Sequence, residues 1–186
     1  MNTGNTEINF SFERPRPINE ILPRLGVLQQ GMRSLGIPSL VAGGVAVDLH
    51  ALNNIPNHKA RGHKDVELLV PVNNRGRFIQ ELANLGFTFD NSIHTGDIHL
   101  MEVRLDGVPY QIFFTYGNGE HTYTPFIFTG KRVGGDACEI NPSPVQIEHN
   151  SQTFDVLEAR SLLRIKEAFQ LGSQSDTATL RKIIGE

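Results

Sequence analysis

The stretch from Leu40 to Val70, LVAGGVAVDLHALNNIPNHKARGHKDVELLV, constrains this chain more than any other. A short apolar run, Ser39 to Ala42, breaks at the Gly43-Gly44 pair, and an amphipathic segment, Val45 to Leu52, follows. The polar, basic loop Asn53 to Lys64 then leads into a second apolar run that carries Asp65 and Glu67. Strand alternation puts Asp65, Glu67 and Leu69 on one face and Val66, Leu68 and Val70 on the other. Two carboxylates on one face repel each other unless a cation sits between them. Mg²⁺ or Mn²⁺, hard cations that take oxygen ligands and keep positions open for phosphate, suit such a pair. The glycine pair lets the backbone approach a phosphate closely, and the helix after it offers its N-terminus to an anion.

A Gly-Gly pair alone is usually a turn, and an Asp-x-Glu alone is usually a solvated sheet face. The order strand, Gly-Gly, helix, basic loop, acidic strand is more telling. It resembles the nucleotidyltransferase superfamily with the DNA polymerase beta fold, and within it the small antibiotic nucleotidyltransferases of the lincosamide and aminoglycoside type. The family's Gly-Gly turn, helix with an early Asp, Arg-x-His and Asp-x-Asp are matched by Gly43-Gly44, Asp48, Arg61-Gly62-His63 and Asp65-Val66-Glu67. Glu67 departs from the pattern but keeps a carboxylate. The resemblance implies an α/β (α+β) fold, a small mixed β-sheet flanked by helices, with a C-terminal helical segment. It also implies metal-dependent transfer of a nucleoside monophosphate from an NTP, ATP being the expected donor, to a hydroxyl acceptor such as an antibiotic-like small molecule. Asp65 and Glu67 would hold Mg²⁺, Gly43 and Gly44 would cradle the β- and γ-phosphates, and Arg61, His63 and Lys64 would reach the phosphates. Asp48 is expected to fix the loop or the acidic strand, whereas His58 and Lys59 suit a solvated loop. A homodimer that completes the acceptor site is a further implication.

The family places a third carboxylate a few residues after a hairpin glycine. Here that position falls on Gln111, whose amide can coordinate or hydrogen-bond but cannot act as a base. Asp106-Gly107 between apolar runs predicts a hairpin of His99 to Leu105 with Val108 to Thr115. A two-residue turn pairs Leu105 with Val108 and sets Glu102 opposite Gln111, on the same face and about 5 Å away. Glu102 can therefore supply the missing charge. The alternative is a catalytically impaired nucleotide-binding or antitoxin-like partner module on the same scaffold.

From Leu157 the spacing turns helical, and Asp155 with Glu158 has capping-box spacing. On that helix Lys166 lies about 40° from Leu162 and about 60° from Phe169, inside the apolar arc. An unpaired ammonium there is costly. Either its head snorkels out or it reaches an anion, and the family likeness, with Asp176 following, favours phosphate.

The rest of the chain is expected to form one domain over 17–186, with 155–186 its C-terminal helical segment and 1–16 a loose leader. Helical spacing runs from Ile18 to Leu35, where Pro23 and Gly26 predict a kink or a late start. Arg75 to Leu85 reads as a helix, Phe87 to Phe89 as a short strand, and Thr177 to Ile184 as a last short helix. Residues 116–154 read as loops with small strands at Phe126 to Phe128, Ala137 to Ile140 and Val145 to Ile147, a place for acceptor recognition. No run suits a membrane span. The opening MNTGNTEINFSFERPRP lacks a basic start with an apolar core, so no secretory signal is expected and the cytoplasm is the default. The single cysteine, Cys138, excludes an intrachain disulfide and is most simply a core residue. A net charge of −3 argues against a dedicated nucleic-acid surface.

Overall fold

A computed structural model describes residues 14–87, 93–94, 99–117, 121–128, 131–168 and 174–186. The expected leader lies outside these as far as residue 13. At its end Arg16 and Pro17 form a short strand, β1 (Arg16–Pro17), that leads directly into helix α1 (Ile18–Ser34). The helix begins at Ile18 rather than late. Pro23 removes one helical hydrogen bond, but Ile21, Leu22 and Leu25 around it are at most 2% exposed, and the Gln152 amide donates to the Pro23 carbonyl at 3.2 Å. Burial of the apolar stripe outweighs the lost bond.

Strand β2 (Leu40–Ala42) ends at Gly43, where helix α2 (Gly43–Asn54) starts. This helix is not amphipathic as its sequence suggested. Every residue from Val45 to Ala51 is buried, Asp48 and His50 included. Its polar residues are interior partners, not a wet face. His50 donates from Nε2 to the Leu157 carbonyl at 2.8 Å, and burial lowers its pKa, favouring the neutral ring.

A two-residue strand, β3 (Gly62–His63), pairs antiparallel with β1, Arg16 opposite His63. Strand β4 (Val66–Pro71) follows, then a single 3₁₀ turn and helix α3 (Arg75–Asn84). Phe87 is buried but lies outside any strand, and positions 88 and 89 of the expected strand fall outside the described residues. Strand β5 (Ile93–His94) precedes the predicted hairpin, β6 (Leu100–Leu105) and β7 (Val108–Gly117). Asp106 and Gly107 both have positive φ, 50° and 74°, the backbone of a type I′ turn. Arg24 pairs with Asp106, and Arg16 donates to the Gly107 carbonyl at 2.7 Å, so the turn is tied to the start of the chain.

Beyond the hairpin the strands are longer than the sequence pieces indicated: β8 (Thr122–Phe128), β9 (Lys131–Ile140), β10 (Val145–His149) and β11 (Gln152–Val156). Strand β11 lies beside β2 and runs parallel to it, Val156 opposite Val41. Among the described residues the main sheet runs β10-β11-β2-β4-β7-β6-β5, with β8 joined to β7 and β9 to β8. It is mixed, because β4 and β7 are parallel while β2 and β6 run antiparallel to them.

The capping-box reading of Asp155 does not hold. Asp155 belongs to β11, takes an ion pair from Arg33 at 3.1 Å and receives the Gln146 amide. Helix α4 (Ala159–Ala168) starts after Glu158, whose carboxylate accepts from the Ser161 hydroxyl at 2.9 Å. Helix α5 (Gln174–Ile184) packs on α4 and α2. The fold is α+β, with five helices and a curled mixed sheet among the described residues. None of these helices is long and apolar enough to cross a membrane.

Candidate active site

The sheet register brings the sequence candidates together. Ala42 lies opposite Glu67, Glu67 opposite Gln111, and Gln111 opposite Glu102. Residues in register on adjacent strands share a face. Glu67, Gln111 and Glu102 therefore form one row across β4, β7 and β6, with Asp65 two residues before Glu67 on that face. The hairpin register expected from Asp106-Gly107 is the one observed, and Gln111 Nε2 donates to Glu102 Oε1 at 3.1 Å.

The carboxylates are held under strain of charge. Burial raises the Asp65 carboxyl above the usual range, against the opposing positive charges of His63 and Lys64. Burial and the neighbouring Asp65 push Glu67 up to about 7, although Lys166 pulls the other way. Glu102 is 9% exposed and is also raised, mainly by burial and further by Asp65, against the Gln111 hydrogen bond. Three acids that each resist ionisation, two of them through a common neighbour, make a locus of unmet negative charge.

Gly43 explains why the turn before α2 admits no side chain. Its φ is +62°, and a Cβ built there would lie 2.5 Å from Glu67 Oε1. The Glu67 carboxylate thus sits against the first residue of α2, and the neighbouring Gly44 has Arg61 Nη2 2.8 Å from its Cβ direction. The start of a twelve-residue helix, the Glu67 carboxylate and the Arg61 guanidinium meet at one point.

Asp48 holds the basic loop, as its position on the helix suggested. Its Oδ1 accepts from His58 Nε2 at 2.8 Å, and its Oδ2 accepts from His63 Nε2 at 2.9 Å and the Arg61 backbone N–H at 3.0 Å. Burial alone would raise this carboxyl, but the bonds from His63, His58 and Arg61 outweigh it and hold Asp48 below the usual range. His58 is therefore not a solvated loop residue. Its pairing with a buried helix carboxylate ten positions earlier carries no local spacing signal.

Asp176 on α5 is the residue whose part the sequence did not convey. Its carboxylate grips the Arg61 guanidinium through both oxygens, at 2.6 and 2.8 Å, and takes the Lys166 ammonium at 2.9 Å. Lys166 is 9% exposed, so its head does not snorkel; it meets this acid inside the protein. Burial pushes Asp176 up, yet the hydrogen bonds and charges of Arg61 and Lys166 bring it below the usual range. One acid thereby holds two cations beside Glu67, whose ionisation Lys166 favours. Lys64 is exposed between His63 and Asp65.

Among the described residues, no three His, Cys, Asp or Glu side chains are grouped so as to enclose a metal by themselves. Asp65 and Glu67 nevertheless fit a hard divalent cation in donor type and charge. The remaining ligands would come from water and from a substrate's phosphates, as is usual for Mg²⁺.

No protein-family model matches this sequence, and no curated protein matches it. Solved structures do. The lincosamide antibiotic adenylyltransferase LnuA, solved with lincomycin bound, superposes with a TM-score of 0.60 at 12% identity, over 91% of this chain and 99% of that one. ANT(2")-Ia in complex with adenylyl-2"-tobramycin gives 0.61 at 10% identity, over 89% and 90%. An antigenic nucleotidyltransferase-like protein from Paracoccidioides brasiliensis gives 0.53 at 17% identity, over 92% and 77%. The architecture they share with this chain spans nearly all of it.

Proposed function

We propose that this chain, a protein of the nucleotidyltransferase fold, transfers a nucleoside monophosphate from an NTP to a hydroxyl acceptor. ATP is the expected donor. The observation that carries the reading is the Asp65–Glu67 pair, both carboxyls raised in pKa, with Glu67 pressed against the Gly43 turn at the start of α2. Such a pair calls for a cation, and the helix start beside it calls for phosphate.

Asp65 and Glu67 would hold Mg²⁺ or Mn²⁺. Held there, it would supply Lewis-acid polarisation of the α-phosphate and neutralise charge on the leaving group. Gly43 and Gly44, bare of side chains, let Glu67 and Arg61 close on the start of α2, whose N–H groups would face phosphate oxygens. Arg61 and Lys166, preset by Asp176, balance the polyphosphate charge from the other side. Asp48 sets the height of Arg61 and His63 through the loop. Gln111 cannot accept the acceptor's proton. It holds Glu102 by Oε1, leaving Oε2 to receive the hydroxyl proton, so the third carboxylate stands on β6 instead of β7.

Purified protein incubated with each NTP, Mg²⁺ and a panel of hydroxyl compounds is expected to release pyrophosphate in an acceptor-dependent way. Glu102→Gln is expected to lower turnover by roughly 10²–10⁴-fold, the usual weight of a general base, while NTP binding persists. Exchanging the pair, Glu102→Gln with Gln111→Glu, should recover part of that loss. Undiminished turnover in Glu102→Gln would remove the residue from the mechanism.

A further inference from the structure

A cleft of about 790 Å³ opens beside the site, between the β1–β3 ladder and the start of α1. Its volume lies in the range that accommodates whole small molecules. Pro15, Pro17, Ile18, Leu52 and Ala60 give it apolar wall, and its charged groups are of nearly one sign. Among the described residues, Arg14, Arg16 and Arg61 line it together with His149, against the single carboxylate of Glu20. Arg61 keeps 40% of its side chain exposed while Asp176 holds it, and Arg14 is exposed. Gly62 in the floor is three residues before Asp65, so the cleft comes within about 11 Å of the acidic row along the chain. Arg61 joins the two, since it lines the cleft and also reaches the Gly44 turn.

We infer that this cleft is the acceptor site, and that the acceptor is a small anionic hydroxyl compound carrying a phosphate or carboxylate. The inference rests on the proposed transfer reaction for the word acceptor, but the anion site stands on the cleft alone. A polycation such as tobramycin, bound as its adenylyl derivative by one structural neighbour, would meet guanidinium groups on the cleft wall. An anion would gain charge-assisted hydrogen bonds from Arg14 and from the donors that Arg16 keeps beyond its bond to the Gly107 carbonyl, and its hydroxyl would lie toward the acidic row.

Calorimetric titration with glycerol 3-phosphate and with glycerate, without nucleotide or metal, separates the anion site from the reaction. The native protein is expected to bind at least one of them, and tobramycin not measurably. Arg14→Glu is expected to weaken that binding at least about tenfold, and Arg14→Lys to restore most of it. Arg14 is exposed, so neither change threatens the fold, and unchanged midpoints of thermal unfolding verify this. Equal affinity in Arg14→Glu, binding of tobramycin in preference to both anions, or mutual exclusion between the anion and MgATP would overturn the inference. The stronger binder should also accept the nucleotide when MgATP is added. Anion binding without transfer would leave the cleft standing as an anion site, overturn its role as the acceptor site and count against the reaction.

Discussion

Glu67→Gln is expected to stabilise the metal-free protein by roughly 3 kcal/mol at pH 8 while abolishing metal-dependent turnover. In the folded protein burial and Asp65 raise the Glu67 carboxyl to about 7, whereas the unfolded chain has it near its ordinary value of 4.5. The folded state therefore keeps a proton that the unfolded state has already released. As pH rises from 4.5 to about 7 the native protein loses stability, and above 7 the loss levels off at roughly 3 kcal/mol. Glutamine keeps the shape and removes the charge, so the variant should be flat over that window and should melt roughly 6–12 °C higher at pH 8. At pH 4 the two proteins should melt together. Addition of Mg²⁺ and NTP should raise the native midpoint and leave that of the variant in place. Thermal unfolding across pH, with and without these ligands, reads both halves. A variant less stable than the native protein at pH 8 would mean that Glu67 already has its counter-charge.

The opposite sign is expected at the other end of the site. Asp176→Ala removes the acid that serves both Arg61 and Lys166. Breaking a buried ion pair by deleting one partner costs about 3–5 kcal/mol, because the other charge is left buried. Arg61 is 40% exposed and rehydrates, so the lower end of that range applies, and the penalty comes mostly from Lys166. The corresponding fall in midpoint is roughly 6–12 °C. Lys166→Met added to Asp176→Ala should recover at least half of it, since the orphaned ammonium is gone. The Asp176 carboxyl is lowered in the fold, so its contribution is present above the ordinary aspartate pKa and is lost as pH falls through the lower, folded value. A double variant no more stable than the single one would show that the cost is lost packing between α4 and α5, not an unpaired charge.

What the sequence conveyed and what it hid follow from the range of the interactions. The β6–β7 register was legible because Asp106-Gly107 fixes it locally, and the row Glu67, Gln111, Glu102 then needed only the pairing of β4 with β7. Asp48 was legible as a loop anchor because it follows the Gly43-Gly44 turn by four residues. The burial of α2 was not, since its polar residues Asp48 and His50 look like a wet face until His63 and the Leu157 carbonyl are brought to them. Strand β11 was hidden for a similar reason. Its place beside β2 depends on a contact between Val156 and Val41, and without it Asp155 looks like the start of the next helix. Asp176 joins residues from the loop before β3 and from α4, and such a three-way contact leaves no periodic trace.

The central claim is that Asp65 and Glu67 form a metal-dependent nucleotide site. The most direct measurement is thermal unfolding of the native chain and of Asp65→Asn with each of the four NTPs, with and without Mg²⁺. Ligand at 100 times its dissociation constant adds about 2.7 kcal/mol, a rise of roughly 5–10 °C for a domain of this size. Such a rise is expected for the native chain with at least one NTP, only when Mg²⁺ is present, and none for Asp65→Asn. No rise with any nucleotide, or an equal rise in Asp65→Asn, would contradict it.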